Sequence, residues 1–306
     1  MSEKPVIVGV DTSPESMRAA VAGWRLAAAM GAPCRLIHAV PDVWSTTASA
    51  LVPITPTLVD EIVSDAHHRV VETLAPVLPA DAIAAIEVRV GRAAAVLAEC
   101  AAGAQLVVLG GKAHGPVARG LGGSTAHYLV RTLDAPVLVV TLAGWPIRRV
   151  LAAVDLSFAA EPTIEAARRL AQDSGARLRL LHVVEPVRAP RVVAARIDDE
   201  AVYREAVTAF NHATAGVTEV GPDDRVMRRG VAAEIIAAEA ATWSADVVVV
   251  GSHGKGWVER LLVGSATERL LALLPASLLV VPVHPAEQPA EWPRTEKRVR
   301  KGMLVI

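Results

Sequence analysis

Short apolar runs alternate with helical patterns along the whole chain. Val6–Val10, Cys34–Val40, Glu87–Val90, Leu106–Leu109 and Val137–Val140 are short and rich in apolar and β-branched residues. Such runs mark strands covered on both faces of a parallel sheet. Between them, apolar positions recur at helical spacing over Ser16–Met30, Thr57–Val77, Ala93–Ala102 and Ser124–Leu133. Thr12, Ser13 and Pro14 supply start signals for the first of these helices. The second half repeats the strands at Val150–Val154, Leu178–Val184, Arg225–Met227, Val247–Val250 and Leu278–Val281. Alternation of this kind predicts right-handed βαβ units and an open parallel sheet flanked by helices.

The two halves also match residue by residue, as an internal repeat requires. PVIVGVDTSPES from Pro5 returns as RRVLAAVDLSFAAEP from Arg148, and CRLIHAVPDVW from Cys34 returns as LRLLHVVEPV from Leu178. These align Asp11 with Asp155 and His38 with His182, both at an offset of 144. VRVGRAAAVLAE and MRRGVAAEIIAAE align Gly91 with Gly230 at 139, and Gly123 aligns with Gly264 at 141. The drift places insertions and deletions in loops, where they are tolerated. The expected division is a domain over 1–143, a second over 144–285 and a basic extension over 286–306. APVLVV from Ala135 and ASLLVVPV from Ala276 are too apolar for exposed edge strands. They are predicted to pair within the chain across the short linker Leu142–Ile147. The stretches 41–57 and 185–196 are irregular and are expected as loops over the sheet's carboxyl edge.

Composition narrows the class. Apolar residues make up 52 % of the 306 and aromatics 3 %, so Ala, Val and Leu must fill the two cores. A formal charge of −1 argues against a nucleic-acid-binding surface over the whole molecule. Met1–Pro5 runs straight into a strand, which leaves no room for a signal peptide, and Leu270–Val283 is too short for a bilayer. Cys34 and Cys100 form neither a disulfide framework nor a zinc spacing and read as core residues of a reduced, cytoplasmic protein.

The chemistry concentrates in VVVVGSHGKGWVERLLVGSATERL, Val247 to Leu270. A buried strand, a glycine-punctuated loop and a helix start follow one another. Glycines let backbone N–H groups approach a ligand without a Cβ in the way, and the helix start adds unpaired donors and a positive dipole end. These parts suit a phosphate group; the alternative is that the glycines only turn the chain. No Walker loop and no dinucleotide fingerprint is present. Asp11 and Asp155 end their strands and can accept hydrogen bonds from a ribose or an amino group, or act as N-caps of the following helices. His38 and His182 are expected as packed, hydrogen-bonded residues. His253 is read as a phosphate contact or a solvated loop residue, and Lys255 and Arg260 as phosphate neighbours or surface residues. The tail Arg294–Lys301 is read as a solvated extension, with a polar-partner or nucleic-acid contact as the alternative, and the apolar end Met303–Ile306 as able to dock on a sheet edge.

The spacing G-x2-G-x9-G-[ST] after a valine-rich strand, met by Gly251, Gly254, Gly264 and Ser265, resembles the ATP-binding signature of the universal stress protein family. The resemblance covers Pro5–Val140 and Arg148–Val283. It implies two tandem five-stranded sheets of the Rossmann-like, adenine nucleotide alpha hydrolase type, with strand order 3-2-1-4-5 and a ligand at the carboxyl ends of the strands. It further implies a nucleoside end at Ala153, Val154, Asp155 and Val183, and ribose and phosphates at Val250, Gly251, Gly254, Gly264, Ser265 and Ala266. The first-half counterparts are Gly9, Val10, Asp11 and Ala39, with Leu109, Gly110, Gly123, Ser124 and Thr125. That half departs from the pattern at Ala113, where the second has Gly254; otherwise Gly115 takes the turn in a rebuilt loop. The implied ligand is ATP, AMP or another adenine nucleotide, with Mg2+ held only through the phosphates. Neither catalytic residues nor a protein metal site are expected. The implied role is a stress-response regulator acting through conformation or an unknown protein partner, as a homodimer, without nucleic acid or membrane. A slow ATPase and a nucleotide-free scaffold are the alternatives; no general base or arginine finger is evident for the former.

Overall fold

The computed structural model describes residues 4–41, 55–111, 124–141, 146–186, 198–252 and 263–283. The first half runs β1 (Val6–Gly9), α1 (Pro14–Ala29), β2 (Cys34–Val40), α2 (Pro56–Leu74), α3 (Ala80–Ala84), β3 (Ile86–Val90), α4 (Ala93–Cys100), β4 (Leu106–Gly110), α5 (Ser124–Thr132) and β5 (Val137–Val140). The second runs β6 (Arg149–Ala153), α6 (Ala160–Ser174), β7 (Arg177–Val184), α7 (Asp199–Ala213), β8 (Arg225–Arg229), α8 (Ala232–Trp243), β9 (Val247–Gly251), α9 (Ser265–Leu273) and β10 (Ser277–Val281). Among the described residues, α3 and the 3-10 turn Pro222–Asp224 have no counterpart in the sequence reading, because segments of five and three residues are too short to display a period.

All ten strands belong to one sheet, ordered β3-β2-β1-β4-β5-β10-β9-β6-β7-β8. Each half has the expected 3-2-1-4-5 order with parallel neighbours. The halves join through an antiparallel β5–β10 pair, the intrachain pairing anticipated from the apolar edges. Leu138 faces Leu279, its own counterpart at offset 141, so a pseudo-twofold axis passes between them.

Strand side chains alternate between two cores. Val6, Val8, Val108 and Leu138 pack with residues of α1, α2, α6 and α7, whereas Ile7, Val107, Val137 and Val139 pack with α4, α5, α8 and α9. Burying each such side chain contributes about 1.5–3 kcal/mol, which outweighs the roughly 1 kcal/mol span of strand propensity. The halves differ at the amino ends of their second strands. In the first half Arg35 forks onto Glu87 at 2.7 and 3.0 Å. Hydrogen bonding to Arg35 holds the Glu87 carboxyl below the usual range. Arg179, at the matching position, instead contacts Asp224 (2.9 Å) and Glu239 (2.9 Å), both buried, and its guanidinium lies 4.5 Å from the centre of the Trp243 ring.

Candidate functional site

The chain leaves β1 toward β2 on one side and leaves β4 toward β5 on the other, which opens a crevice at the carboxyl ends of these neighbours. A cavity of about 320 Å³ lies there. Gly9, Val10, Asp11, Ala39, Leu109, Gly110 and Thr125 all line it. Ser124 opens α5. Gly110 sits where β4 runs against the start of α1: a Cβ on it would stand 2.7 Å from the backbone carbon and oxygen of Glu15. Only glycine allows that approach.

The turn after β1 is held by its own side chains. The Asp11 carboxylate accepts hydrogen bonds from the Ser13 amide (2.8 Å) and hydroxyl (2.5 Å), and the Asp11 amide donates to Ser16 Oγ at 2.6 Å. Ser13 is the N-cap of α1, accepting from the Ser16 amide at 3.2 Å, with Pro14 following in the first turn. Asp11 is therefore an Asx-turn residue, and the capping alternative falls to Ser13. His38 places Nδ1 2.8 Å from the Val10 carbonyl, bracing β2 against the end of β1.

The second half builds the same turn differently. Ser157 brings its hydroxyl within 2.8 Å of both Asp155 carboxylate oxygens and its amide within 3.1 Å of one. Leu156 takes a left-handed φ of 57°, and α6 starts at Ala160 without a side-chain cap. His182 is buried, with Nδ1 2.6 Å from the Val154 carbonyl and its ring stacked on Phe210. Ala153 ends β6, Val154 and Asp155 follow it, and Val183 lies near the end of β7. Val250 and Gly251 end β9, while Gly264 and Ser265 open α9, with Ala266 in its first turn. Two bonds hold α9 to the end of β9: the Gly264 amide to the Ser252 carbonyl (2.8 Å) and Thr267 Oγ1 to the Gly251 carbonyl (2.9 Å). Gly123, Gly254, Ala113, Gly115, His253, Lys255, Arg260, the apolar end Met303–Ile306 and the tail Arg294–Lys301 lie outside the described residues.

The cavity also recruits residues that the sequence reading missed: Ser13, Glu15, Ser16, His127, Leu271 and Leu274. Ser13 is legible in the sequence only as a helix-start signal, and Ser16 only as the first residue of that helix. The two leucines come from the other half of the chain, where no local pattern points to the first half's site. No lysine or arginine stands among the described residues lining the cavity. Among the described residues, no group of three or more His, Cys, Asp or Glu side chains converges as metal ligands, and no helix is long and apolar enough to cross a membrane. Burial pushes the Cys34 thiol up to about 12, so it stays protonated and inert.

The family model described as "Universal stress protein family" matches residues 3–141 and again 146–282. A universal stress protein of Mycolicibacterium smegmatis is 30 % identical over 298 residues, spanning 92 % of this chain and 97 % of that protein. A Mycobacterium tuberculosis universal stress protein is 32 % identical over 285 residues, 87 % of this chain and 92 % of its own. Among solved structures, a universal stress protein from Archaeoglobus fulgidus shares the fold with a TM-score of 0.60 at 18 % identity, covering 92 % of this chain and 99 % of that one.

Proposed function

The chain belongs to the universal stress protein family, and from that premise we propose that it is an adenine-nucleotide-binding regulator of a stress response, with ATP as the ligand. Gly9, Val10, Asp11 and Ala39 would hold the nucleoside end in the first half, with Gly110, Gly123, Ser124 and Thr125 near ribose and phosphates. Ala153, Val154, Asp155 and Val183, with Val250, Gly251, Gly254, Gly264, Ser265 and Ala266, would do the same in the second. The observation that carries the reading is the cavity between the ends of β1 and β4, where Asp11 and Gly110 meet.

We read the site as binding rather than hydrolysing nucleotide, since the sequence offers no evident general base or arginine finger. Backbone N–H groups and the start of α5 would take the phosphates. Mg2+ would be held through the phosphates alone. Phosphoryl transfer depends on positioned cations at the developing charge, so nucleotide binding would act through conformation or a protein partner. The protein would work in the cytoplasm. A homodimer would have to use a surface other than β5, whose edge is taken by β10.

Mass spectrometry of small molecules released from freshly purified protein, followed by calorimetric titration with ATP, tests the reading. An adenine nucleotide in the released fraction and saturable binding are expected. A ligand-free protein that gives no heat up to millimolar ATP would instead favour a nucleotide-free scaffold.

A further inference from the structure

The cavity of the first half is not walled by the first half alone. Leu271 and Leu274, from the other side of the pseudo-twofold, stand in its lining with Gly111 and Val139. Leu274 ends α9 in a left-handed conformation, φ 41° and ψ 64°, with its amide donating to the Leu270 carbonyl at 2.7 Å. That conformation costs a leucine about 1–2 kcal/mol, and packing holds it there. Leu274 is buried, and a Cβ on Gly111 would come within 3.1 Å of Leu274 Cδ1 and 2.4 Å of Val139 Cγ1. Gly111 is the residue just past β4, so the end of a first-half strand touches the end of a second-half helix.

The other end of α9 belongs to the second half's site. Gly264 and Ser265 open it, and the bonds to the Ser252 and Gly251 carbonyls fasten its first turn to the end of β9. At nine residues, α9 is about 13 Å long, with its turns tied together by backbone hydrogen bonds. A single short helix thus starts in one candidate site and ends in the wall of the other.

We propose that α9 is a shared wall coupling the two sites. A ligand in the first cavity packs against Leu271 and Leu274, fixes α9 and orders the Gly264–Ser265 turn, so that the second site binds nucleotide more tightly. The inference rests on the nucleotide reading of both sites. Its sign follows from that packing. A ligand packed on Leu271 and Leu274 adds contacts that hold α9 where its first turn is already fastened, so the second ligand has less freedom left to remove. By linkage, the second ligand tightens the first to the same degree.

Full-length protein carrying Asp155→Ala, which weakens the second site, is titrated with ATP under NMR observation. Amide signals of Ala39 and Gly110 report the first cavity, Leu274 methyls report the wall, and Ala266 and Thr267 amides report the start of α9. All three groups are expected to move with one midpoint. In an added Leu274→Ala the first-cavity signals should still saturate while the Ala266 and Thr267 signals stay still, and Leu274→Met should restore their movement. In the otherwise wild-type chain, Asp11→Ala should weaken the second site about fivefold, at the low end of usual couplings. First-cavity signals that saturate with a motionless start of α9 overturn the shared wall and leave the nucleotide reading standing. Signals that stay still everywhere up to millimolar ATP overturn both.

Discussion

At the turn after their first strands, the two halves set the same aspartate in different surroundings. Asp11 sits in a closed circuit with Ser13 and Ser16, ahead of a capped helix that begins with proline. Asp155 has Ser157 alone, is followed by a left-handed Leu156, and precedes a helix that starts uncapped at Ala160. In the glycine spacing of the sequence the order reverses. The second half has the full glycine spacing with Gly254, and the first has Ala113 in that place. The copies differ in two separate features: the first has the more fully hydrogen-bonded aspartate turn, the second the full glycine spacing.

The largest effect that sharpens this comparison lies in the ion pairs beneath the site. Asp224→Ala would take a buried partner from Arg177 and Arg179 and leave Arg179 with Glu239, and losing charged hydrogen bonds at a buried carboxylate costs about 2 kcal/mol. Glu87→Ala, in the equivalent part of the first half, removes a pair about one-third exposed and should cost under about 1 kcal/mol. Urea unfolding of the two variants checks the ratio; equal losses would erase the distinction. Gly110→Val comes next. Its side chain must displace the Glu15 backbone, at a cost of about 1–3 kcal/mol, and first-cavity binding should vanish. A Gly110→Val protein of unchanged melting temperature would show that β4 and α1 do not approach as described.

Much of this was legible in the sequence because it is local. Valine runs mark the strands, and the offset of 144 pairs Asp11 with Asp155 and His38 with His182. Gly110 could be singled out because it directly follows a strand. What stayed hidden is either too short or too distant. The five residues of α3 show no period, and the Ser16 bond to the Asp11 amide depends on how the turn closes. Leu271 and Leu274 reach the first cavity only because β10 pairs with β5. The apolar edges predicted that pairing, but not which helix it would bring to the cavity.

Smaller effects should separate the two turns. Ser13→Ala removes the cap of α1 and a partner of Asp11, a loss of about 1 kcal/mol visible in thermal unfolding. Ser157→Ala, whose residue caps no helix, should cost less; the reverse ranking would mean that Leu156 depends on Ser157. The smallest effect is a pH dependence. Arg35 lowers the folded-state pKa of Glu87, so the Glu87 contribution is present above the unfolded carboxylate range and is lost as pH falls through the lowered value. Between pH 6 and pH 3, Glu87→Gln should therefore flatten the acid loss of stability by a few tenths of a kcal/mol.

The measurement closest to the centre of the account is a calorimetric ATP titration of the full chain beside Asp11→Ala, Asp155→Ala and Ala113→Gly. The account predicts two unequal sites. Asp155→Ala removes the tighter one, while Asp11→Ala removes the weaker and leaves the tighter measurable but about fivefold weakened by the lost coupling. Ala113→Gly strengthens the weaker site by about five- to thirtyfold, the equivalent of roughly 1–2 kcal/mol. Two sites of equal affinity, unmoved by Ala113→Gly, would contradict it.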